Sequence, residues 1–369
     1  MMGLEDERQE REQAAPSRWL TDAARALDTV ENRVDRAASE LFDGGAPGLS
    51  DQHRAQIAQL MRALIGAIED DLRIRLAESL ADEPRPELLA ALGSTTPIAP
   101  ALLERTRLLR EADLVAAMLR RVDEHRLALM LGRDSPYHVA DLAQRLLDLG
   151  DGAIAEATMA LLVAESRRYD QFGDPALART DLPSGAHRKL LWAVAAALRH
   201  YLIRHHAMPD SQADLLLAGA VRALLAEHDE NDTLDGRADG LAELLARAEL
   251  IDDRLLADAL EEGWLALFTA AIAQRAGIDS AGVWSMITDP SGMMLGTVLR
   301  AIGCEREAAV TMLWRIGSAE GIDEEVLIAR ADAFDRLDRR EAAEAVLIWR
   351  LDPNYRRAVV EIGEGGRRR

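Results

Sequence analysis

Apolar residues return every third or fourth position through most of the chain, in segments broken by Gly, Pro, Asp and Ser. That spacing lines one side of an α-helix. Runs of Val, Ile, Thr and Tyr alternating with polar residues are absent, so strands have little support. The pattern predicts an all-α protein. A first helix is expected over 19–42, ended by "DGGAPGLS". Ser50 then caps the long amphipathic segment "DQHRAQIAQLMRALIGAIEDDLRIRLAESLA". Towards the other end, "SQADLLLAGAVRALLAEH", "DDRLLADALEEGWLALFTAAIAQRAG", "SAGVWSMITD" and "EREAAVTMLWRIG" read as short helices. Within them Trp264, Leu265, Phe268 and Ile272 form one apolar stripe suited to packing.

The most apolar stretch is "RKLLWAVAAALRHYLIRHH", residues 188–206. Its unbroken run, Leu190 to Leu198, is far shorter than the about 20 residues of a membrane span, and Arg199 and His200 follow at once. A run apolar on nearly every side instead marks a helix buried inside a protein. We expect that helix over 184–206, capped from among Thr180, Asp181 and Ser184. Trp192, Val194 and Leu198 should be nearly inaccessible. Arg199, His200, Arg204, His205 and His206 crowd its last turns, where cations complement the helix dipole.

The chain contains an internal repeat. Gly93, Pro97, Ala101, Leu103 and Leu108 recur 39 residues later as Gly132, Pro136, Ala140, Leu142 and Leu147, and Val115 and Ala116 recur as Ile154 and Ala155. Each copy has a short helix, a Gly/Ser/Pro corner and two further helical stretches, a layout resembling HEAT-type α-solenoid units. Segments 88–121 and 127–160 are therefore expected to superpose and stack. The expected organisation is a flexible tail (1–16), HEAT-like repeats (17–165), a boundary segment (166–183), a C-terminal helical half (184–360) packed against the first, and a frayed tail (361–369). The boundary "ESRRYDQFGDPALARTDLPSGA" is the longest non-periodic stretch.

Three stretches carry a family resemblance: "TPIAPALLERTRLLREADLVAAMLRRVDEHRLALMLGR", "RTDLPSGAHRKLLWAVAAALRHYL" and "LEEGWLALFTAAIAQRAGIDSAGVWSMITDPSGMMLGTVLRAIGC". The chain resembles the alphaproteobacterial domain of unknown function 2336 family over roughly residues 50–315. The resemblance implies a HEAT-like helical fold in a bacterial cytoplasm and brings no catalytic residues with it.

Charge narrows the function. The formal net charge of −20 repels phosphate backbones and argues against nucleic-acid binding. The lone Cys304 can form no intrachain disulfide, which suits a reducing cytoplasm. The acidic, polar start "MMGLEDERQEREQAAPS" lacks the apolar core of a signal peptide. No nucleotide-binding loop, nucleophile elbow, His-Glu-x-x-His or Cys pair appears. His200 and His205 are five residues apart, about 140° around a helix, so they do not share a face for a metal. "NDTLDGRADGLAE" (231–243) has part of a calcium-loop pattern, but Ala242 stands where a bidentate Glu is needed. Cys304 reads as a small buried thiol. No cofactor, metal or catalytic residue is expected.

What remains is a basic zone in an acidic chain. Arg167, Arg168, Arg179, Arg188, Lys189, Arg199 and Arg204 fall close together around the boundary. Internal ion pairs to the surplus Asp and Glu are one reading. An anion- or partner-binding surface marked by Arg188, Lys189, Arg199 and Arg204 is the other. The expected function is a non-catalytic protein–protein interaction module, a scaffold or adaptor with a protein partner. The alternative is a nucleotide or small-anion sensor at the basic zone.

Overall fold

The computed structural model describes residues 33–352 apart from 35, 43–48, 82–84, 134–140 and 290, together with 355, 356, 358 and 362. The tail 1–16 and the start of the first expected helix lie outside the described residues. Every regular element among the described residues is helical. Their one β feature is an isolated bridge between Tyr169 and Pro175. The protein is all-α, as the periodicity predicts.

Residues 34–125 and 162–237 form one compact unit. Its longest helix is α1 (Asp51–Ser79), entered through Ser50, whose hydroxyl accepts the His53 amide at 3.2 Å. The short helices α2 (Pro86–Leu92) and α3 (Ala99–Leu103) follow. The turn between them is held from α1. The Glu69 carboxylate accepts the amides of Ile98 (3.0 Å) and Ala99 (2.8 Å), and so caps α3. Arg73, one turn on, pairs with Glu69 at 2.5 Å and donates to the carbonyls of Ser94 and Thr96. Then come α4 (Ala112–Arg133, up to His125 in this unit), α7 (Ser184–His206) and α8 (Asp210–Ala226). The core is one cluster. From α1 it takes Ile65, Ile68 and Leu72, from α4 Val115 and Met118, from α7 Leu191, Val194 and Leu198, and from α8 Leu217 and Val221.

The described residues of 126–161 and from 238 onward form the other unit. Its elements are α5 (Asp141–Leu147), α6 (Gly152–Ser166, up to Leu161 here) and α9 (Leu234–Arg247, from Ala238 here). After them come α10 (Asp253–Glu261), α11 (Leu265–Ala276), α12 (Ser280–Ile287), α13 (Met293–Ala301), α14 (Arg306–Ala319), α15 (Glu324–Arg336) and α16 (Arg339–Val346). Aspartates open several of these helices: Asp252 accepts from the Leu255 amide and Asp279 from the Gly282 amide, each at 2.7 Å. Gly277 closes α11 at φ +67°, a left-handed conformation that costs a residue without Cβ nothing. The expected stripe Trp264, Leu265, Phe268 and Ile272 is buried.

The first repeat copy corresponds to α2, α3 and the start of α4. The second corresponds to the end of α4, then α5 and α6; its Gly132 lies within α4, and the Ser135 and Pro136 of its expected corner fall outside the described residues. A single helix thus serves both copies.

Candidate interaction face

The helix expected over 184–206 is α7, Ser184–His206. Its caps differ from expectation. Pro183 holds the N-cap position without a side-chain hydrogen bond. Asp181 accepts the Leu234 amide at 3.1 Å, at the start of α9, and the Ser184 hydroxyl donates to Glu230. Val194 and Leu198 are inaccessible, as expected. Trp192 is not: 42 % of it is exposed. The physical reason is that α7 packs on α1, α3 and α8 over part of its circumference only. The solvent side of the apolar run is filled by Ala196 and Trp192.

Taking about 100° per residue, Arg188, Trp192, Ala196 and Arg199 lie within about 80° of one another. They form a single strip running along the exposed side. Lys189 stands about 100° from Arg188. Arg204 stands about 160° away, on another side of the last turn. The four sequence-predicted site residues therefore do not share one face. Two of them, Arg188 and Arg199, flank the exposed indole of Trp192.

α7 contains no Asp or Glu, although the chain has 64 of them. Carboxylates reach it from neighbouring elements. Lys189 pairs with Glu111, just before α4. Burial opposes ionisation of Glu111, but hydrogen bonds from Lys189 and the Leu114 backbone overcome this and lower its pKa. Arg199 grips Asp214 of α8 through Nε (2.5 Å) and Nη2 (3.2 Å), and reaches Asp210 at 3.2 Å. The hydrogen bond from Arg199 holds Asp214 below the usual carboxylate range. Arg188 and Arg204 are exposed, and no carboxylate among the described residues pairs with them.

The other arginines of the basic zone are turned inward. Arg168, 1 % exposed, donates to Glu165 (2.8 Å) and Glu124 (3.3 Å). Arg167 donates to the Asp232 carbonyl at 3.2 Å. Arg179 pairs with Asp71 and Glu227. Buried Glu124 is the hub of this network. Besides Arg168 it accepts from Arg120 Nε at 2.8 Å and stands 3.5 Å from Arg121. Arg120 also forks onto Asp235 at 2.7 and 2.8 Å. Burial alone would raise the pKa of Glu124; Arg120, Arg121 and Arg168 reverse this and hold it at about 2.

The remaining candidates for chemistry are quiet. Burial and then Asp253 push the Cys304 thiol up to about 12, and its Sγ donates to Asp253 at 3.2 Å. A buried thiol of that pKa is no nucleophile. His205 and His206 each lie 5.1 Å from the Tyr201 ring. Burial, His228 and Arg179 bring His187 down to about 4, so it is neutral at ordinary pH. Most of the calcium-like segment is helix α9. A Cβ on Gly236 would meet the Glu230 carbonyl, so glycine here lets the preceding turn close onto the helix. Among the described residues no group of three or more His, Cys, Asp or Glu is placed to hold a metal ion. No described helix is long and apolar enough to cross a membrane.

No curated protein and no solved structure matches the chain. The family described as an uncharacterised protein conserved in bacteria (DUF2336) matches residues 139–346, which include all of α7 and α8. That match covers more than half of the chain, and the chain belongs to the DUF2336 family.

Proposed function

We propose that this chain is a non-catalytic protein–protein interaction module, a scaffold or regulatory adaptor, and that its partner docks on the exposed strip of α7. The observation that carries the reading is Trp192, half-exposed between Arg188 and Arg199 on a helix whose other side is fixed in the core. Tryptophan and arginine are the side chains most enriched among residues that dominate binding energy. A rigid backbone behind them keeps the ordering cost of binding low. The short-helix architecture is consistent with a HEAT-like module, a class that binds peptides and proteins along helix faces. A single cysteine held as a thiol suits work in a bacterial cytoplasm.

A sensor of nucleotides or other small anions has less support, because Arg188, Lys189, Arg199 and Arg204 stand on different sides of α7 and do not converge on one small ligand. The test uses affinity capture from bacterial lysate with wild-type chain, Trp192→Ala, Arg188→Gln and the surface control Arg247→Gln. A protein held by wild type and control but lost by the two strip variants supports the reading. Capture that ignores both strip variants refutes this face. Thermal stabilisation of the wild type by one compound of a nucleotide panel supports the sensor instead.

A further inference from the structure

We infer that the occupant of the α7 strip is a short acidic peptide segment with an apolar centre, and that Asp214 and Asp210 of α8 compete with it for Arg199. The inference rests on the interaction-module reading and specifies its ligand. Asp214 already displays the chemistry: a carboxylate seated on two nitrogens of the Arg199 fork. That is the geometry in which guanidinium recognises carboxylate best. No carboxylate among the described residues pairs with Arg188, at the other end of the strip.

Arg188 and Arg199 are separated by eleven residues of helix, a rise of about 16 Å. Trp192 and Ala196 lie between them, so an indole stands beside a small residue that leaves the surface low. The ligand that fits is elongated, with acid at both ends and a bulky apolar group in the middle. In an extended peptide the two acids stand about five residues apart, at about 3.3 Å each. In a helical one they stand about eleven apart. A single phosphate cannot span the strip.

The chain's charge of −20 limits the partner further. Beyond a Debye length of about 8 Å at physiological salt, exposed charges are largely screened. A slender acidic segment lying along α7 feels mainly the cations there, whereas a broad acidic surface also meets the surrounding carboxylates. Asp210 and Asp214 act as a built-in competitor. The incoming carboxylate displaces them from Arg199 or shares it, and that exchange holds the affinity down.

The test is fluorescence anisotropy with labelled synthetic peptides. Each carries two Glu pairs flanking Leu-Phe, spaced for the extended or the helical form, with Lys-for-Glu versions as controls. Circular dichroism confirms that each protein variant is folded. One acidic peptide should bind wild type, and more weakly at 0.3 M than at 0.05 M salt. Asp214→Asn should tighten it about threefold or more. Arg188→Gln and Trp192→Ala should weaken it about fivefold or more, the usual scale for residues that matter at an interface. Unchanged affinity in Asp214→Asn overturns the competitor. Failure of both acidic peptides while a captured protein still depends on Trp192 overturns the acidic segment and leaves the module standing. Loss of all Trp192-dependent capture overturns the module itself. Displacement of the bound peptide by millimolar ATP or inorganic phosphate, binding to anionic vesicles that depends on Arg188, or a dimer lost in Trp192→Ala each assigns the strip to another occupant.

Discussion

Replacing Glu124 with Gln removes the hub of a buried charge network while keeping its shape. Glu124 is 2 % exposed and faces Arg120, Arg121 and Arg168. Breaking a buried ion pair from one side costs about 3–5 kcal/mol, because the partner charge stays buried without compensation. A second route gives a similar size. The shift of the Glu124 pKa from 4.5 to about 2 corresponds to about 3 kcal/mol at 1.36 kcal/mol per unit. Arg120 keeps Asp235 and Arg168 keeps Glu165, which favours the lower end. Arg121 is worst off: its Nε and Nη1 already lack hydrogen-bond partners. The expected loss is about 3 kcal/mol at pH 7, seen in urea as a midpoint lowered by about 1–2 M. The pH dependence adds a sign. A carboxylate depressed in the folded state stabilises above its unfolded pKa of 4.5, and that contribution disappears as pH falls towards about 2. Burial raises Glu165 and Asp181, so their contribution runs the other way and weakens as pH rises through their folded values. The gap between wild type and Glu124→Gln should therefore be constant above about pH 5 and narrow below it. A gap under about 1 kcal/mol at pH 7, or one that does not narrow in acid, refutes the hub.

Three further outcomes separate core from surface. Leu198→Ala should cost about 3 kcal/mol, a buried leucine's usual loss, whereas Trp192→Ala on the same helix should cost under about 1 kcal/mol; equal losses in urea titration would put Trp192 in the core. Glu69→Ala strands Arg73 in the interior and uncaps α3, so it should destabilise by about 3 kcal/mol and speed amide exchange of Ile98 and Ala99. A neutral effect there would mean water serves those amides equally well. Cys304 should resist iodoacetamide at pH 8 in the native protein and react once urea unfolds it; rapid native labelling would contradict both its burial and its raised pKa.

The helices were legible because their signals are local. The bounds of α7 follow from the polar residues before it, the apolar run and the cationic last turns. Its solvent side was not legible: with Leu, Trp, Val and Ala on every face, periodicity has no polar edge to mark what is exposed. Only the arrival of α1, α3 and α8 decides that Val194 is covered and Trp192 is not. Charges divide in the same way. The Arg120–Glu124 pair can be read at i,i+4. Its extension to Arg168 and Asp235 joins positions far apart in the chain, at separations of 44 and 115 residues. Which arginines of the basic zone stay free depended on where Glu111, Asp210 and Asp214 come to rest, and composition does not fix that.

A protein partner that docks over Trp192 must come within reach of a reactive group at that position. A photo-crosslinking amino acid placed at position 192 and irradiated in living bacteria tests this docking most directly. Docking there should yield one dominant protein adduct, attached within an acidic segment and lost when Arg188→Gln is added. Absence of any protein adduct at 192, or equal labelling when the crosslinker is moved to position 247, would contradict it.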